Sequence, residues 1–168
     1  GVRLLIQPGA RMSDQPSIDS VREATIVDPK KAKSFALKDR NTKGDQIFDS
    51  KKDAKASLDE DALAINELQD AMFACKAGAL LVVMQGIDTA GKDGTTKECF
   101  KYTSPLGVNV FGFGRPSEEE MAHDYLWRLH IRAPKKGFIH VFNRSQYEDV
   151  LVVKVRNLAP PKMIEQRY

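Results

Sequence analysis

The sequence is poor in the features that mark disulfide scaffolds, zinc sites and membrane spans. It has two cysteines in 168 residues, Cys75 and Cys99, which form neither a disulfide framework nor a metal-ligand spacing. We therefore predict that both are packing residues in a reducing compartment. No apolar run approaches the roughly 18 residues that a bilayer span requires. These absences exclude a secreted disulfide scaffold and a transmembrane protein, and they favour a cytoplasmic protein without a membrane partner.

The composition is that of a globular protein with a polar extension at one end. Hydrophobic residues make up 42% and charged residues 29% of the chain, a balance typical of one folded domain at this length. Residues 1–56 are polar and basic, and we expect them to be extended or partly disordered. This segment has only Phe35 and Phe48 as aromatics, too few to indicate base stacking, so nucleic acid is not an expected partner.

Residues 57–168 carry the pattern of an α/β domain, which begins with a helix and a buried strand. The first helix is predicted at 57–76, where Ser57 and Glu60 have the spacing of a capping box. Its apolar face would be formed by Leu58, Leu63, Ile65, Leu68, Met72 and Phe73. The run ALLVVMQ at 79–85 is apolar until its last residue, which favours a strand buried on both faces of a parallel sheet.

The elements that follow continue the alternation of helix and strand. We predict a helix at 94–102, a strand at 108–113, a helix opened by a Ser117/Glu120 capping box, a strand at 138–142 and a helix start at 147–155. This order indicates a parallel sheet with right-handed crossovers. An open sheet usually has about four to six strands, and three are predicted here. We therefore expect the chain to end before its architecture is complete.

The segment GIDTAGKDG at 86–94 has the glycine spacing of a phosphate-binding loop. Gly86 and Gly91 are followed by Lys92, while Asp93 stands where such a loop carries Ser or Thr. A strand before the loop and a helix after it would direct backbone N–H groups and the helix dipole at a phosphate. The predicted phosphate-binding residues are Gly86, Thr89, Ala90, Gly91, Lys92, Asp93 and Gly94. The alternative is a strand-to-helix turn that merely needs glycines.

Two acids in this loop need an explanation, because a carboxylate repels phosphate. Asp88 would be tolerated beside phosphates if Mg²⁺ lay between them, or it could orient the attacking oxygen. Asp93 could serve the metal, or it could be a first-turn residue stabilised by the helix dipole. Both possibilities remain open for Asp93.

The segment NRSQYED at 143–149 follows the last predicted strand and offers a second group of polar residues. Asn143 could ligate a metal, Glu148 or Asp149 could add a carboxylate, and Arg144 could clamp phosphoryl oxygens by a forked contact. The same letters equally fit a capped helix start in which Ser145 and Glu148 form a capping box. The residues alone do not decide between these interpretations.

GIDTAGKDGT, RPSEEEMAHDYLWRLH and FNRSQYEDVLV, in this order and spacing, resemble the polyphosphate kinase 2 family. The resemblance runs from about Leu80 to Tyr168. It implies a phosphate-loop kinase-like, three-layer α/β/α fold with a parallel sheet and an added helical lid. It also implies phosphoryl transfer between inorganic polyphosphate and a nucleoside mono- or diphosphate, with Mg²⁺ or in its place Mn²⁺.

The resemblance assigns roles to individual residues. Asp88 and Lys92 match the essential acid and lysine of the loop, and Arg144 joins them as a catalytic and phosphate-binding residue. Asp88, Asn143 and Glu148 would hold the metal. Some branches of the family have Asp where this chain has Asn143, and Asn where it has Glu148. The pairing found here looks like the branch that accepts both mono- and diphosphates.

The resemblance also bears on the rest of the chain. Family members continue into a basic lid and further strands, so we expect this chain to be truncated before them. Basic residues at Arg128, Arg132, Lys135 and Lys136 could line a polyanion channel, although a solvated helix end explains them nearly as well. We also expect a homo-oligomer, a dimer or a tetramer. An ATP-dependent small-molecule kinase and a truncated phosphate-binding domain without turnover remain as alternatives.

Overall fold

The computed structural model describes residues 18–36, 38 and 47–167. The chain divides into two compact units, Gly1–Leu58 and Asp59–Tyr168. Much of the predicted N-terminal extension, residues 1–17, 37 and 39–46, lies outside the described residues. Within the described ranges, every helix is too short or too polar to cross a bilayer.

Before residue 51, the described part of the first unit contains two short helical segments. Helix α1 spans Ile18–Thr25, and a 3₁₀ helix spans Pro29–Ser34. Asp28 caps the 3₁₀ helix, because its side chain accepts a hydrogen bond of 2.9 Å from the Lys30 N–H. Local capping therefore accounts for ordered structure in a stretch whose composition predicted little.

Helix α2 spans Lys51–Cys75 and begins earlier than the sequence predicted. Ser50 supplies the cap: its Oγ accepts from the Asp53 N–H at 3.2 Å and donates to the Asp53 carboxylate at 2.5 Å. The predicted cap at Ser57 is wrong. Ser50 and Ser57 are each followed by an acid three residues later, and the helix starts at the earlier of these two pairs.

The predicted apolar face of α2 is also partly wrong. Leu63 and Leu68 are each 52% exposed, whereas Ala62 and Gln69 are buried. Ala62 and Gln69 are two helical turns apart and therefore lie on one face. The buried stripe contains a glutamine because the Gln69 amide packs against Gly107, just before the second strand. Hydrophobicity alone could not predict that contact.

The sheet has three parallel strands in the order β1-β3-β2. Strand β1 spans Leu80–Met84, β2 spans Val108–Gly112 and β3 spans Ile139–Asn143. The predicted parallel α/β sheet is confirmed. Met84 and Gly112 both pair with Asn143, so all three strands end at the same edge. The segments that follow the strands must therefore meet there.

The buried centre of this sheet is β3 and not β1. Val141 and Phe142 are almost fully buried, while Leu80, Leu81 and Val83 of β1 are exposed. The prediction that β1 is buried on both faces is therefore wrong. In the strand order, β3 has a neighbour on each side, whereas β1 pairs with β3 alone among the described strands. The core cluster of Phe113, Leu129 and Phe142 lies against β3.

The helices between the strands are shorter than predicted. Helix α3 spans Lys92–Cys99. Helix α4 spans Glu118–Ala122 and begins with the predicted Ser117/Glu120 capping box, which is confirmed. The backbone then turns extended at His123, and α5 covers Trp127–His130 as a separate helix. The imidazole of His123 stacks on the Trp127 indole at 4.1 Å between ring centroids.

The chain after β3 is helical, and its turns pack on one another. A π-helical turn spans Glu148–Val152, α6 spans Val153–Val155 and α7 spans Pro161–Arg167. Asp149 and Val150 are buried in the first of these turns. The predicted helix start at 147–155 is present in the form of a π-helical turn, but its predicted burial is only partly right, because Leu151 and Val155 are exposed.

The two cysteines differ from each other in their environment. Cys75 is exposed, so its predicted packing role is wrong, whereas Cys99 is partly buried. Burial raises the pKa of the Cys99 thiol, and the nearby carboxylates of Asp61 and Glu98 raise it further. Desolvation and negative neighbours both disfavour the thiolate.

Replacing Gly107 by alanine should destabilise the second unit. A Cβ built at Gly107 would lie 1.8 Å from Nε2 of Gln69, and that amide is 1% exposed and has no solvent to move into. We expect the free energy of unfolding in urea to fall by about 1–3 kcal/mol. Gly78→Ala is the matched control, since none of the described atoms lies within 4 Å of its Cβ position. Equal stability of the two variants would contradict the proposed close packing.

Candidate functional site

A cleft opens at the edge where the three strands end. It has a volume of about 480 Å³ and is lined by residues 88–94 and 112–114 together with Asn143 and Arg144. We call it the loop cleft. Its walls come from the segments that follow β1, β2 and β3, so tertiary structure unites the two motifs that are separate in sequence. A cleft at the carboxyl edge of a parallel sheet is the usual ligand position in such folds.

The glycine loop is a tight strand-to-helix turn with two residues in the left-handed region. Thr89 has φ +67° and Gly91 has φ +87°, and the Ala90 N–H donates to the Ile87 carbonyl at 3.2 Å. Gly91 is the N-cap of α3, and among the described residues no side chain caps that helix. The first-turn N–H groups of α3 are therefore left for a bound anion.

Lys92 folds back across the loop that precedes it. Its Nζ donates to the carbonyl oxygens of Gly86 and Ile87, each at 2.8 Å. The positive charge is thereby held at the cleft, where it can offset the charge of a phosphate. A fixed lysine also ties the start of α3 to the end of β1.

Arg144 links the loop to the segment after β3. Its guanidinium donates to the Asp88 carboxylate and lies 3.4 Å from the Glu148 carboxylate. The residue has φ +72°, a left-handed conformation that costs a non-glycine residue about 1–2 kcal/mol. Its N–H donates to the Met84 carbonyl at 2.9 Å, and these contacts hold the strained backbone in place.

The segment NRSQYED does not form the alternative capping box in the described structure. The Glu148 carboxylate accepts from the Gln85 amide at 2.8 Å and faces Arg144, so it turns away from the Ser145 N–H. Ser145 Oγ donates to the Gln85 amide oxygen at 3.2 Å and accepts from the Tyr147 N–H. Gln85, which the sequence did not single out, thus joins the end of β1 to this turn.

Asp93 contacts the end of β3. The Asn143 side-chain amide donates to its carboxylate. Asp93 is also in the first turn of α3, where the helix dipole favours a negative charge. The acid that stands in the place of a hydroxyl is therefore both a first-turn residue and part of the cleft wall.

The oxygen donors at the cleft suit a hard cation. Asp88, Asp93 and Asn143, which carry carboxylate and amide oxygens, line it, whereas Glu148 lies outside its lining, beside Gln85 and Arg144. Across the described ranges, no three His, Cys, Asp or Glu side chains cluster closely enough to hold a metal. Mg²⁺ ordinarily takes one or two carboxylates and completes its shell with phosphate oxygens and water, so this donor set fits Mg²⁺.

A second cavity of about 730 Å³ adjoins the loop cleft, and we call it the arginine cavity. It shares Phe113, Gly114 and Arg144 with the loop cleft. Exposed arginines at 115 and 156 contribute to its wall. Its apolar lining consists of Phe113, Pro116, Met121, Val152, Val153, Leu158, Ala159 and Met163.

One basic residue predicted for a polyanion channel is largely enclosed. Arg128 borders the arginine cavity, but it is 4% exposed and binds the Asp149 carboxylate at 2.8 Å and the Gly114 carbonyl at 2.9 Å, so it offers little surface to a polyanion. The sequence reasoning also missed Gly112 and Gly114, which form the cleft wall opposite the loop. Two glycines spaced Gly-x-Gly directly after a predicted strand were the available signal.

Two alanine substitutions in the loop should have opposite effects on stability. Gly91→Ala places a Cβ at φ +87° and should lower the free energy of unfolding by about 1–2 kcal/mol. Gly94→Ala lies within α3, where the described atoms leave its Cβ position open. It should raise the free energy of unfolding by about 0.4–1 kcal/mol. Urea titration measures both, and changes of the same sign would contradict the left-handed cap.

Comparison with known proteins agrees with the family resemblance of the sequence motifs. The model of the family described as Polyphosphate kinase 2 matches residues 48–168. The AMP/ADP-polyphosphate phosphotransferase of Meiothermus ruber is 48% identical over 104 residues, which cover 62% of this chain and 39% of the relative. The ADP-polyphosphate phosphotransferase of Rhodopseudomonas palustris is 40% identical over 114 residues, 68% of this chain and 39% of the relative.

A solved structure shares the fold. The crystal structure of polyphosphate kinase 2 from Arthrobacter aurescens TC1 matches with a TM-score of 0.74 and 36% sequence identity. The match covers 80% of this chain and 49% of that chain. The present chain thus spans about two fifths of the length of these two curated relatives and about half of the solved structure.

Proposed function

Because the chain belongs to the polyphosphate kinase 2 family, we propose that it transfers a phosphoryl group between inorganic polyphosphate and a nucleoside mono- or diphosphate, with Mg²⁺. The observation that carries this proposal is the loop cleft. It places a lysine, an arginine and the uncapped start of α3 around one space of about 480 Å³. This arrangement suits a group with several negative oxygens.

Each residue at the cleft has a role that follows from its charge. Lys92 and Arg144 neutralise the phosphoryl oxygens, and the forked guanidinium also fixes their orientation. Asp88, Asp93 and Asn143 would hold Mg²⁺. Glu148 would contact Arg144 and not the metal. Mg²⁺, when bound, supplies charge neutralisation at the transferred group. The protein's part in catalysis is therefore mainly positioning and electrostatic stabilisation.

The arginine cavity is the proposed place for the acceptor nucleoside. Its apolar residues would contact the base and ribose, and its exposed arginines at 115 and 156 would contact the nucleotide's own phosphate. Arg144 borders both cavities and would therefore lie between donor and acceptor. The name of the Meiothermus ruber relative, an AMP/ADP-polyphosphate phosphotransferase, supports an acceptor range that includes both mono- and diphosphates. A cytoplasmic homo-oligomer, with neither nucleic acid nor membrane as partner, completes the proposal.

The test is a phosphorylation assay with long-chain polyphosphate, Mg²⁺ and AMP, ADP, GMP or GDP. We expect product from both mono- and diphosphates and none after chelation with EDTA. Product formed with ATP but not with polyphosphate as donor would overturn the proposal in favour of an ordinary ATP-dependent kinase. Binding of inorganic tripolyphosphate by calorimetry without product from any acceptor would favour a phosphate-binding domain.

A further inference from the structure

We propose that Arg128 and Asp149 form a buried pair that positions Arg144 for phosphate binding. This inference rests on the proposed function, because it assigns Arg144 a phosphate contact. Arg128 belongs to α5 and Asp149 to the π-helical turn after β3. Both side chains are largely enclosed, with 4% and 11% of their surface exposed.

Arg128 bridges two segments that leave neighbouring strands. One nitrogen of its guanidinium donates to the Gly114 carbonyl at 2.9 Å, and another donates to the Asp149 carboxylate at 2.8 Å. Gly114 lies in the wall of the loop cleft after β2, and Asp149 lies after β3. The rigid planar fork of arginine therefore sets the distance between these two segments.

Stability alone does not explain this pair. Removing two charges from water costs about as much free energy as their attraction returns, so a buried ion pair adds little over an apolar pair of equal size. The charged fork does provide two directed hydrogen bonds at a fixed angle. The pair therefore serves to hold the segments after β2 and β3 in fixed positions relative to each other.

The pair connects to Arg144 through the adjacent residue of the turn. Glu148 precedes Asp149, and its carboxylate both faces Arg144 at 3.4 Å and accepts from Gln85 at 2.8 Å. The main-chain carbonyl of Asp149 accepts from Arg167 at 3.2 Å, which holds the turn from α7. If Asp149 moved, Glu148 would move with it and the Arg144 guanidinium would lose one of its two carboxylate partners.

Arg128 is therefore a positioning residue and not a catalytic one. At 4% exposure its guanidinium has little surface to offer a phosphate. We expect its effect on phosphate binding to pass through Arg144. A double-mutant cycle with Arg144 detects this dependence, because independent sites give additive changes and coupled sites do not.

The experiment measures the dissociation constant of inorganic tripolyphosphate by calorimetry for Arg128→Lys, Arg144→Ala and the double variant. Lysine keeps the charge but cannot make both directed contacts. We expect Arg128→Lys to raise the dissociation constant about tenfold in the otherwise unchanged chain, and less than about twofold in the Arg144→Ala background. Arg132→Lys is the matched control, because Arg132 lies over the Phe111 ring and outside both cavities.

Two results would overturn the inference. One is an unchanged dissociation constant in Arg128→Lys, and the other is an equal fold-change in both backgrounds, as a general loss of structure would give. If Arg128→Lys unfolds below the assay temperature, Asp149→Asn replaces it, since the amide is isosteric and keeps one acceptor. Because calorimetry needs no turnover, a chain without kinase activity would still test this pair, and additive changes would leave the proposed kinase activity intact.

Discussion

Lys92→Met should lower kcat/KM for phosphoryl transfer from polyphosphate by roughly a thousandfold, the upper part of the range for losing one preorganised electrostatic group. Methionine keeps most of the side-chain length while removing the charge. It also removes both hydrogen bonds to the Gly86 and Ile87 carbonyls, so the loop loses the contact that closes it. Initial rates at several polyphosphate concentrations measure this effect.

The control for Lys92→Met is Lys97→Met, an exposed lysine on the same helix. It makes the same change of charge and should leave kcat/KM within about a factor of two, as is usual for surface positions. Thermal unfolding of both variants separates loss of catalysis from loss of fold. A Lys92→Met protein that is folded and retains more than a tenth of the rate would contradict the assigned role.

Asp88→Asn should make phosphate binding nearly independent of Mg²⁺ and should lower the rate of phosphoryl transfer by at least about a hundredfold. The reason is that the substitution removes a carboxylate that would help to hold the metal in the transition state. The Asp88 side chain is 77% exposed and bound to Arg144. Without Mg²⁺, removing its negative charge should strengthen tripolyphosphate binding by a few-fold, since a nearby like charge is removed. Adding Mg²⁺ should then increase the affinity of the variant for tripolyphosphate only slightly.

Calorimetry with tripolyphosphate, in EDTA and in Mg²⁺, measures both effects for Asp88→Asn. Asp70→Asn makes the same change of charge at an exposed site on α2 and should bind like the unchanged chain in both buffers. If Asp88→Asn kept normal activity and a normal dependence on Mg²⁺, Asp88 would not be a metal-side residue. The carboxylate of Asp93, paired with Asn143, would then be the next candidate.

Local sequence patterns predicted those parts of the fold that depend on local interactions. The Ser117/Glu120 capping box, the strands near 108–113 and 138–142, and the loop ahead of α3 all follow from a few neighbouring residues. Capping and glycine turns are short-range effects, so a single sequence carries them. Prediction failed where two local signals competed, as for Ser50 and Ser57 at the start of α2.

Local patterns did not predict which segments are buried or which distant residues pair with each other. An apolar run indicates that a segment can be buried, but the elements that pack on its faces determine whether it is. Side chains in the β1 run are exposed, whereas Val141 and Phe142 of β3 are buried. In the same way, a sequence cannot show that the Arg128 side chain points inward to Gly114 and Asp149, because both partners lie on other segments, distant along the chain.

The sequence by itself determined the kind of site: a glycine loop with Lys92 and Asp88, a second polar group at 143–148, and an alternating α/β chain to carry them. Only the tertiary structure decided that Asp88 and Glu148 share Arg144, that Asn143 pairs with Asp93, and that Gly112 and Gly114 form the opposite wall. The physical reason is the parallel sheet. Three strands in register end at one edge and bring together segments whose mutual contacts no local pattern encodes.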